Sequence, residues 1–190
     1  MNKKKLVFAM CGSFCTFKDA IEQMEQLADE YEIFPVMSFN AAITDTRFGK
    51  AEEFINKVEN ISHKKVIKRI EDAEPIGPSI KPDIMLIEPC TGNTLAKLAN
   101  GIADTPVTLA AKAHLRNDKP LLIAVSTNDA LASAAKNIGF LLNNKNIFFV
   151  PFKQDDCEKK PRSAISDFTL TAKSLESAID NKQLQPIIFG

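Results

Sequence analysis

Pro89-Cys90-Thr91-Gly92-Asn93-Thr94 follows an apolar run, Ile84-Met85-Leu86-Ile87, and precedes Leu95, Leu98, Ala99 and Ile102 at helical spacing. A buried strand that ends in short hydroxyl and amide side chains and then becomes a helix gathers free N–H groups and small donors at one point. Such a point suits a phosphate or another anionic ligand group. The competing use of the same residues is helix capping by Thr91 or Asn93.

Two further segments have this character. Cys11-Gly12-Ser13-Phe14 follows Leu6–Met10, with a glycine that allows close backbone approach and a serine that can donate to a phosphate. It lacks the further glycines of the dinucleotide fingerprint, so a tight strand–helix turn explains it equally well. Ser126-Thr127-Asn128-Asp129 follows Leu121–Val125, again as ligand site or N-cap. Arg47, within Thr44–Gly49, could pair with a phosphate or a substrate carboxylate, or stand exposed in a loop. Asp155-Asp156 with Lys159-Lys160 reads as a solvated loop or as an edge of a pocket. His63 beside Lys64 and Lys65 reads as solvated, and His114 as packed or interfacial. Neither has the Ser, Cys or carboxylate company of a triad.

The elements that must position these residues alternate. Strands are expected at Leu6–Met10, Ile33–Met37, Ile84–Ile87, Leu121–Val125 and Ile147–Val150, with a short closing strand at Ile187–Phe189. Helices are expected from Thr16 (with Thr16 and Asp19 as a capping box), around Phe54–Ile61, at Val66–Ile70, from Thr94 to Gly101, at Pro106–Leu115, at Leu131–Leu142 and at Thr171–Ile179. Lys153–Ser163 reads as a loop or flap. Short apolar strands alternating with helices imply an α/β domain whose parallel sheet is covered on both faces. Ligands of such sheets bind beyond the carboxyl ends of the strands, where Cys11–Cys15, Ser38–Asn40, Pro89–Thr94, Ser126–Asp129 and Pro151–Asp156 all fall.

Composition narrows the classes. The 190 residues are 45% hydrophobic, enough for one well-packed domain over residues 1–190. Lys plus Arg equals Asp plus Glu, so no basic stripe points to nucleic acid. The thirteen Phe, with no Trp, read as core filling. The basic start before Leu6–Met10 is too short in its apolar part for a leader and reads as a first strand. No run approaches the about 18 apolar residues of a membrane span. The four cysteines form no metal-type CxxC pairs, and free thiols in a cytoplasmic protein are expected.

The stretch from Pro89-Cys90-Thr91-Gly92-Asn93-Thr94 to Ala103-Asp104 resembles the PASANT-type motif of the flavoprotein family. That family includes the homo-oligomeric flavin-containing cysteine decarboxylases. Gly12-Ser13 continues the match. Ser38-Phe39-Asn40, Thr46–Gly49, Ala73–Pro78, Ser126–Leu131, Lys145–Asp156 and Gln183–Ile187 extend it over nearly the whole chain. Within the family these segments are most similar to the branch of dipicolinate synthase B subunits of spore-forming bacteria.

The resemblance implies a single Rossmann-like, flavodoxin-like three-layer domain with a parallel sheet of five to six strands. It implies FMN as cofactor, with the phosphate near Gly12, Ser13 and Ser38, adjoined by Phe14 and Asn40. The flavin ring would lie near Pro89, Cys90, Thr91, Gly92, Asn93 and Thr94, and near Ser126, Thr127 and Asn128. Arg47 would meet the FMN phosphate or a substrate carboxylate. The implied role is in an oxidoreductase that converts dihydrodipicolinate to dipicolinate in the mother-cell cytoplasm during sporulation. The implied partner is an A subunit carrying the NAD(P) site, and the chain itself would form a homo-oligomer, a trimer or higher multiple. The alternatives are a non-catalytic assembly or regulatory subunit, and an FMN-dependent decarboxylase-like protein. Two departures argue against cysteine decarboxylation. Pro75-Ile76-Gly77-Pro78-Ser79-Ile80 carries no histidine where the decarboxylases have one, and Ser126-Thr127-Asn128-Asp129 keeps only the Asn of their PxMN-type clamp.

Overall fold

The computed structural model describes residues 3–189. Five strands, β1 (Lys4–Met10), β2 (Tyr31–Met37), β3 (Ile84–Cys90), β4 (Leu121–Thr127) and β5 (Ile147–Phe149), run parallel in the order β2-β1-β3-β4-β5. This is the flavodoxin-like order, and its direction of winding reverses between β1 and β3. Eight helices alternate with them: α1 (Phe17–Leu27), α2 (Phe39–Ile43), α3 (Ala51–Ser62), α4 (Ile70–Ala73), α5 (Gly92–Ala99), α6 (Pro106–Leu115), α7 (Ala135–Leu142) and α8 (Thr171–Ile179).

The central strands are apolar on both faces, and their alternation sorts two cores. Leu6, Phe8 and Met10 of β1 pack with Met24 of α1, Phe54 and Val58 of α3 and Leu175 of α8. Val7 and Ala9 pack on the other side with Leu95 of α5, Val107 and Ala110 of α6 and Ile138 of α7.

The sheet has two more strands, β6 (Phe152–Asp156) and β7 (Lys160–Ser166), which form an antiparallel hairpin. β4 changes neighbour part-way along its edge. Leu121, Leu122 and Ile123 pair with β5, whereas Ser126 and Thr127 pair with Ile165 and Ala164 of β7. Ser166 bridges the changeover. Its Oγ accepts from Val125 N at 2.8 Å and donates to Val150 O at 3.1 Å.

Several local expectations are corrected. Lys153–Ser163 is largely strand rather than loop, because β4 extends past β5 and leaves an edge that the hairpin satisfies. Val66–Ile70 is not a helix: Ile67 bridges to Val36, and α4 begins only at Ile70. β3 runs on to Cys90, so Pro89 and Cys90 belong to the strand. Residues 129–134 are turns, and the helix there begins at Ala135. Thr16 makes no capping box, since its hydroxyl donates back to Ser13 O at 2.9 Å. Ile187–Phe189 is reduced to a single bridge between Phe152 and Ile188.

Candidate functional site

The carboxyl ends of β1, β3 and β4 surround a cavity of about 500 Å³, within the usual range for small-molecule sites. It lies at the point where the strand order reverses, the place such sheets reserve for ligands. Backbone bonds draw the ends together: Cys11 N donates to Pro89 O at 3.1 Å, and Ser38 N donates to Met10 O at 2.9 Å.

Of the sequence candidates, Gly12, Ser13 and Phe14 line the cavity from the turn after β1. Thr91, Gly92 and Asn93 line it from the start of α5, and Ser126, Thr127 and Asn128 from the end of β4. Ser13 Oγ and Ser126 Oγ lie 2.7 Å apart, so two loops separated by more than half the chain share one hydroxyl pair. Thr91 occupies the N-cap of α5 without a side-chain cap bond, and the N-cap of α7 is Ala134, whose methyl side chain cannot cap it. The capping alternative for these hydroxyls is therefore not realised. The first-turn N–H groups of α5 remain available for a ligand acceptor.

Gly92 has a steric reason. A Cβ there would collide with Asp129 Oδ1 and lie 2.9 Å from Thr127 Oγ1. Asp129 Oδ1 accepts from Thr127 Oγ1 at 2.6 Å, and its other oxygen accepts from Ser133 Oγ. Those bonds, Ser133 first, hold the Asp129 carboxyl below its usual range. A Cβ at Gly12 would meet only ordinary contacts, 3.5 Å from the Phe14 ring and 3.6 Å from Asn40 Cβ.

Other sequence candidates lie outside the lining. Pro89 and Cys90 are buried within β3. Thr94 is buried and donates to Cys11 Sγ at 3.2 Å. Burial raises the Cys11 thiol to about 11 and pushes the Cys90 thiol well above its ordinary value, so both stay protonated at neutral pH. Ser38 caps α2, its Oγ accepting from Ala41 N, and Asn40 is exposed beside Gly12. Arg47 is exposed with its guanidinium 4.8 Å from the centre of the Phe48 ring, and Phe48 lines the cavity.

The hairpin supplies further lining residues: Asp155 and Lys160, expected as a solvated loop or a pocket edge, and Ser163, Ala164 and Ile165, which sequence reasoning passed over. Together they close one side of the cavity. Ser163 Oγ donates to Thr127 O at 3.2 Å and to Asp155 Oδ2 at 3.3 Å, and Lys160 Nζ donates to Asp155 Oδ2 at 2.8 Å. That hydrogen bond raises the Lys160 ammonium above its ordinary value. The available signal was Asp156, whose carboxylate accepts from Glu158 N and Lys159 N and so makes the turn. Cys15, an exposed free thiol, also lines the cavity.

Neither histidine reaches the cavity. His63 ends α3 in the left-handed conformation, and His114 is fully buried with Nε2 2.9 Å from Pro120 O. Just before the motif, Glu88 is fully buried. Its Oε2 accepts from Thr171 Oγ1 at 2.6 Å, and Oε1 has no hydrogen-bond partner among the described residues. Burial raises this carboxyl to about 8, against a smaller lowering by Thr171.

The sequence profile of the Flavoprotein family matches residues 1–172. The chain belongs to the Flavoprotein family. Among flavoproteins it is 44% identical over 189 residues to the B subunit of dipicolinate synthase from Bacillus subtilis, covering 99% of this chain and 94% of that one. The crystal structure of the dipicolinate synthase B subunit from Bacillus halodurans superposes with a TM-score of 0.90 at 38% identity, over 100% of this chain and 99% of that one. The FMN-dependent cysteine decarboxylase SpaF shares the flavoprotein fold, with a TM-score of 0.64 at 24% identity over 92% and 97% of the two chains. Among the described residues no helix is long and apolar enough to cross a membrane.

The cavity suits a flavin nucleotide chemically. It offers small hydroxyl and amide side chains and the open first turn of α5 for phosphate and ring-edge acceptors, with the Phe14 and Phe48 rings as apolar surface.

Proposed function

We propose that this chain is an FMN-binding B subunit of dipicolinate synthase, which with an A subunit oxidises dihydrodipicolinate to dipicolinate. The observation that carries the reading is the 44% identity to a dipicolinate synthase B subunit along 99% of the chain. The chain would act as one domain over residues 1–190, in the mother-cell cytoplasm during sporulation and as a homo-oligomer of three or more copies.

Gly12, Ser13 and Ser38 are proposed to receive the FMN phosphate, flanked by Phe14 and Asn40. Pro89, Cys90, Thr91, Gly92, Asn93 and Thr94 would form the ring side with Ser126, Thr127 and Asn128. The buried members of that set act from behind the lining residues: Thr94 holds Cys11, and Cys11 in turn binds Pro89 through its N–H. FMN, when bound, supplies a ring able to take up two electrons.

The work of the protein's own residues is positional. The hydroxyls of Ser13, Thr91 and Ser126 orient acceptors, the hairpin excludes water on one side, and Arg47 beside Phe48 offers a cation to a phosphate or carboxylate. Aromatisation of the substrate ring removes a hydride, for which the NAD(P) of the A subunit is the proposed acceptor, and a proton, which is released to water. Among the described residues no histidine lines the cavity, which sets this site apart from one built for cysteine decarboxylation.

The test is reconstitution. Purified chain should show an oxidised-flavin absorption spectrum after incubation with FMN, and should be needed for dipicolinate formation by the A subunit. Full-rate synthesis by the A subunit alone would remove this chain from the chemistry. The same lack of a histidine favours a second reading, a non-catalytic assembly subunit. A colourless chain that binds no FMN yet activates the A subunit would establish it.

A further inference from the structure

The cavity is poor in positive charge. Among the described lining residues Lys160 is the one cation, and Asp129 and Asp155 are both acidic. Asp129 is immobilised by Thr127 and Ser133, and its oxygens are spent on those hydroxyls. Asp155 differs. It sits on β6 opposite the start of β7, where a single oxygen takes both Lys160 Nζ at 2.8 Å and Ser163 Oγ at 3.3 Å. The pair is partly solvated, with side chains 58% exposed at Lys160 and 30% at Asp155. Such pairs contribute little stability and exchange partners readily.

An anion entering this cavity therefore meets two fixed or paired carboxylates and one lysine already neutralised by its neighbour. Besides the open first turn of α5, the one cationic side chain it can reach is Lys160, and it gains that ion pair by taking the place of Asp155. β7 is held on β4 by the pairing of Ile165 with Ser126 and of Ala164 with Thr127, so the hairpin wall does not depend on the Lys160–Asp155 bond.

We infer that Lys160 is the residue that binds a carboxylate of the substrate, and that Asp155 occupies its ammonium as an internal stand-in until the substrate arrives. This deepens the reading given above and rests on a cyclic dicarboxylate entering the cavity. It moves that role from Arg47, which lies outside the lining, to the hairpin. A phosphate of the cofactor has the same chemistry as a ligand for Lys160, so the test separates the two.

The FMN-incubated chain is titrated calorimetrically with pyridine-2,6-dicarboxylate and with pyridine as a neutral control, while FMN uptake is followed by absorbance. Wild type should bind the dicarboxylate and not pyridine. Lys160→Ala should weaken that binding about tenfold or more, and Lys160→Arg should restore most of it. Asp155→Asn should tighten it about two- to fivefold by freeing the ammonium. Arg47→Ala should weaken it less than Lys160→Ala does, and the three hairpin variants should take up FMN like wild type. Unchanged dicarboxylate binding in Lys160→Ala, or a loss confined to Arg47→Ala, overturns the assignment. A loss of FMN uptake in Lys160→Ala assigns the lysine to the cofactor phosphate and overturns it equally. Binding unaltered or weakened in Asp155→Asn refutes the exchange. If wild type takes up FMN but binds no dicarboxylate, the substrate reading fails with it; if wild type binds dicarboxylate without FMN, only the cofactor reading fails.

Discussion

Glu88 and Gly92 lie four residues apart and are constrained in opposite ways. Glu88 keeps its proton in the folded chain at pH values where an unfolded carboxyl has lost it. The unfolded state is therefore the one that releases a proton between the ordinary carboxylate range and about pH 8. Stability falls as pH rises through that window, by about 1.4 kcal/mol per unit at most, and levels off above it. Glu88→Gln should abolish this dependence. The expected result is a higher midpoint of thermal unfolding than wild type at pH 9 and little difference at pH 5; parallel pH profiles would refute it. Gly92 is instead limited by space. Gly92→Ala must displace Asp129 or Thr127, with an expected loss of about 1–3 kcal/mol in denaturant unfolding and weaker FMN uptake by absorbance. Unaltered stability would mean that the β4 turn yields freely.

At the scale of elements, the informative feature is the change of partner along β4. Parallel β5 covers only its first half, and the antiparallel hairpin takes the second. Between them Val125, registered with Cys90 of β3 on its other side, donates its N–H to Ser166 Oγ. Ser166→Ala leaves a buried N–H and the Val150 carbonyl without that hydroxyl, so a loss of about 1–3 kcal/mol is expected. Hydrogen exchange should localise the effect to Val125 and the hairpin, and protection unchanged there would argue against the hydroxyl bridge. The parallel strands were legible because runs such as Ile84-Met85-Leu86-Ile87 and Leu121–Val125 are buried on both faces. The hairpin was not, because Lys153, Gln154 and Asp155 alternate with no apolar face: β6 is exposed at those positions. Its strands exist to satisfy the edge of β4, a demand that no local pattern carries.

At the scale of the molecule, two cores sandwich one sheet, and the cavity stands where the winding reverses. Helical periodicity and strand composition were enough to place the sheet edge that carries it, because each element announces its buried face locally. They also placed Gly12–Phe14, Thr91–Asn93 and Ser126–Asn128 at strand ends. What sequence alone could not decide was which of those hydroxyls are spent on caps and which face the cavity. Thr94 and Ser38 turned out to be used within the fold, while Ser13 and Ser126 meet each other across it. Nor could it place Lys160 in the cavity and Arg47 outside its lining. Both are basic residues in polar segments, and a local pattern gives them the same reading. Their difference comes from long-range pairing: β7 attaches to the end of β4 and brings Lys160 to the strand ends that hold the site, and only the folded chain makes that attachment.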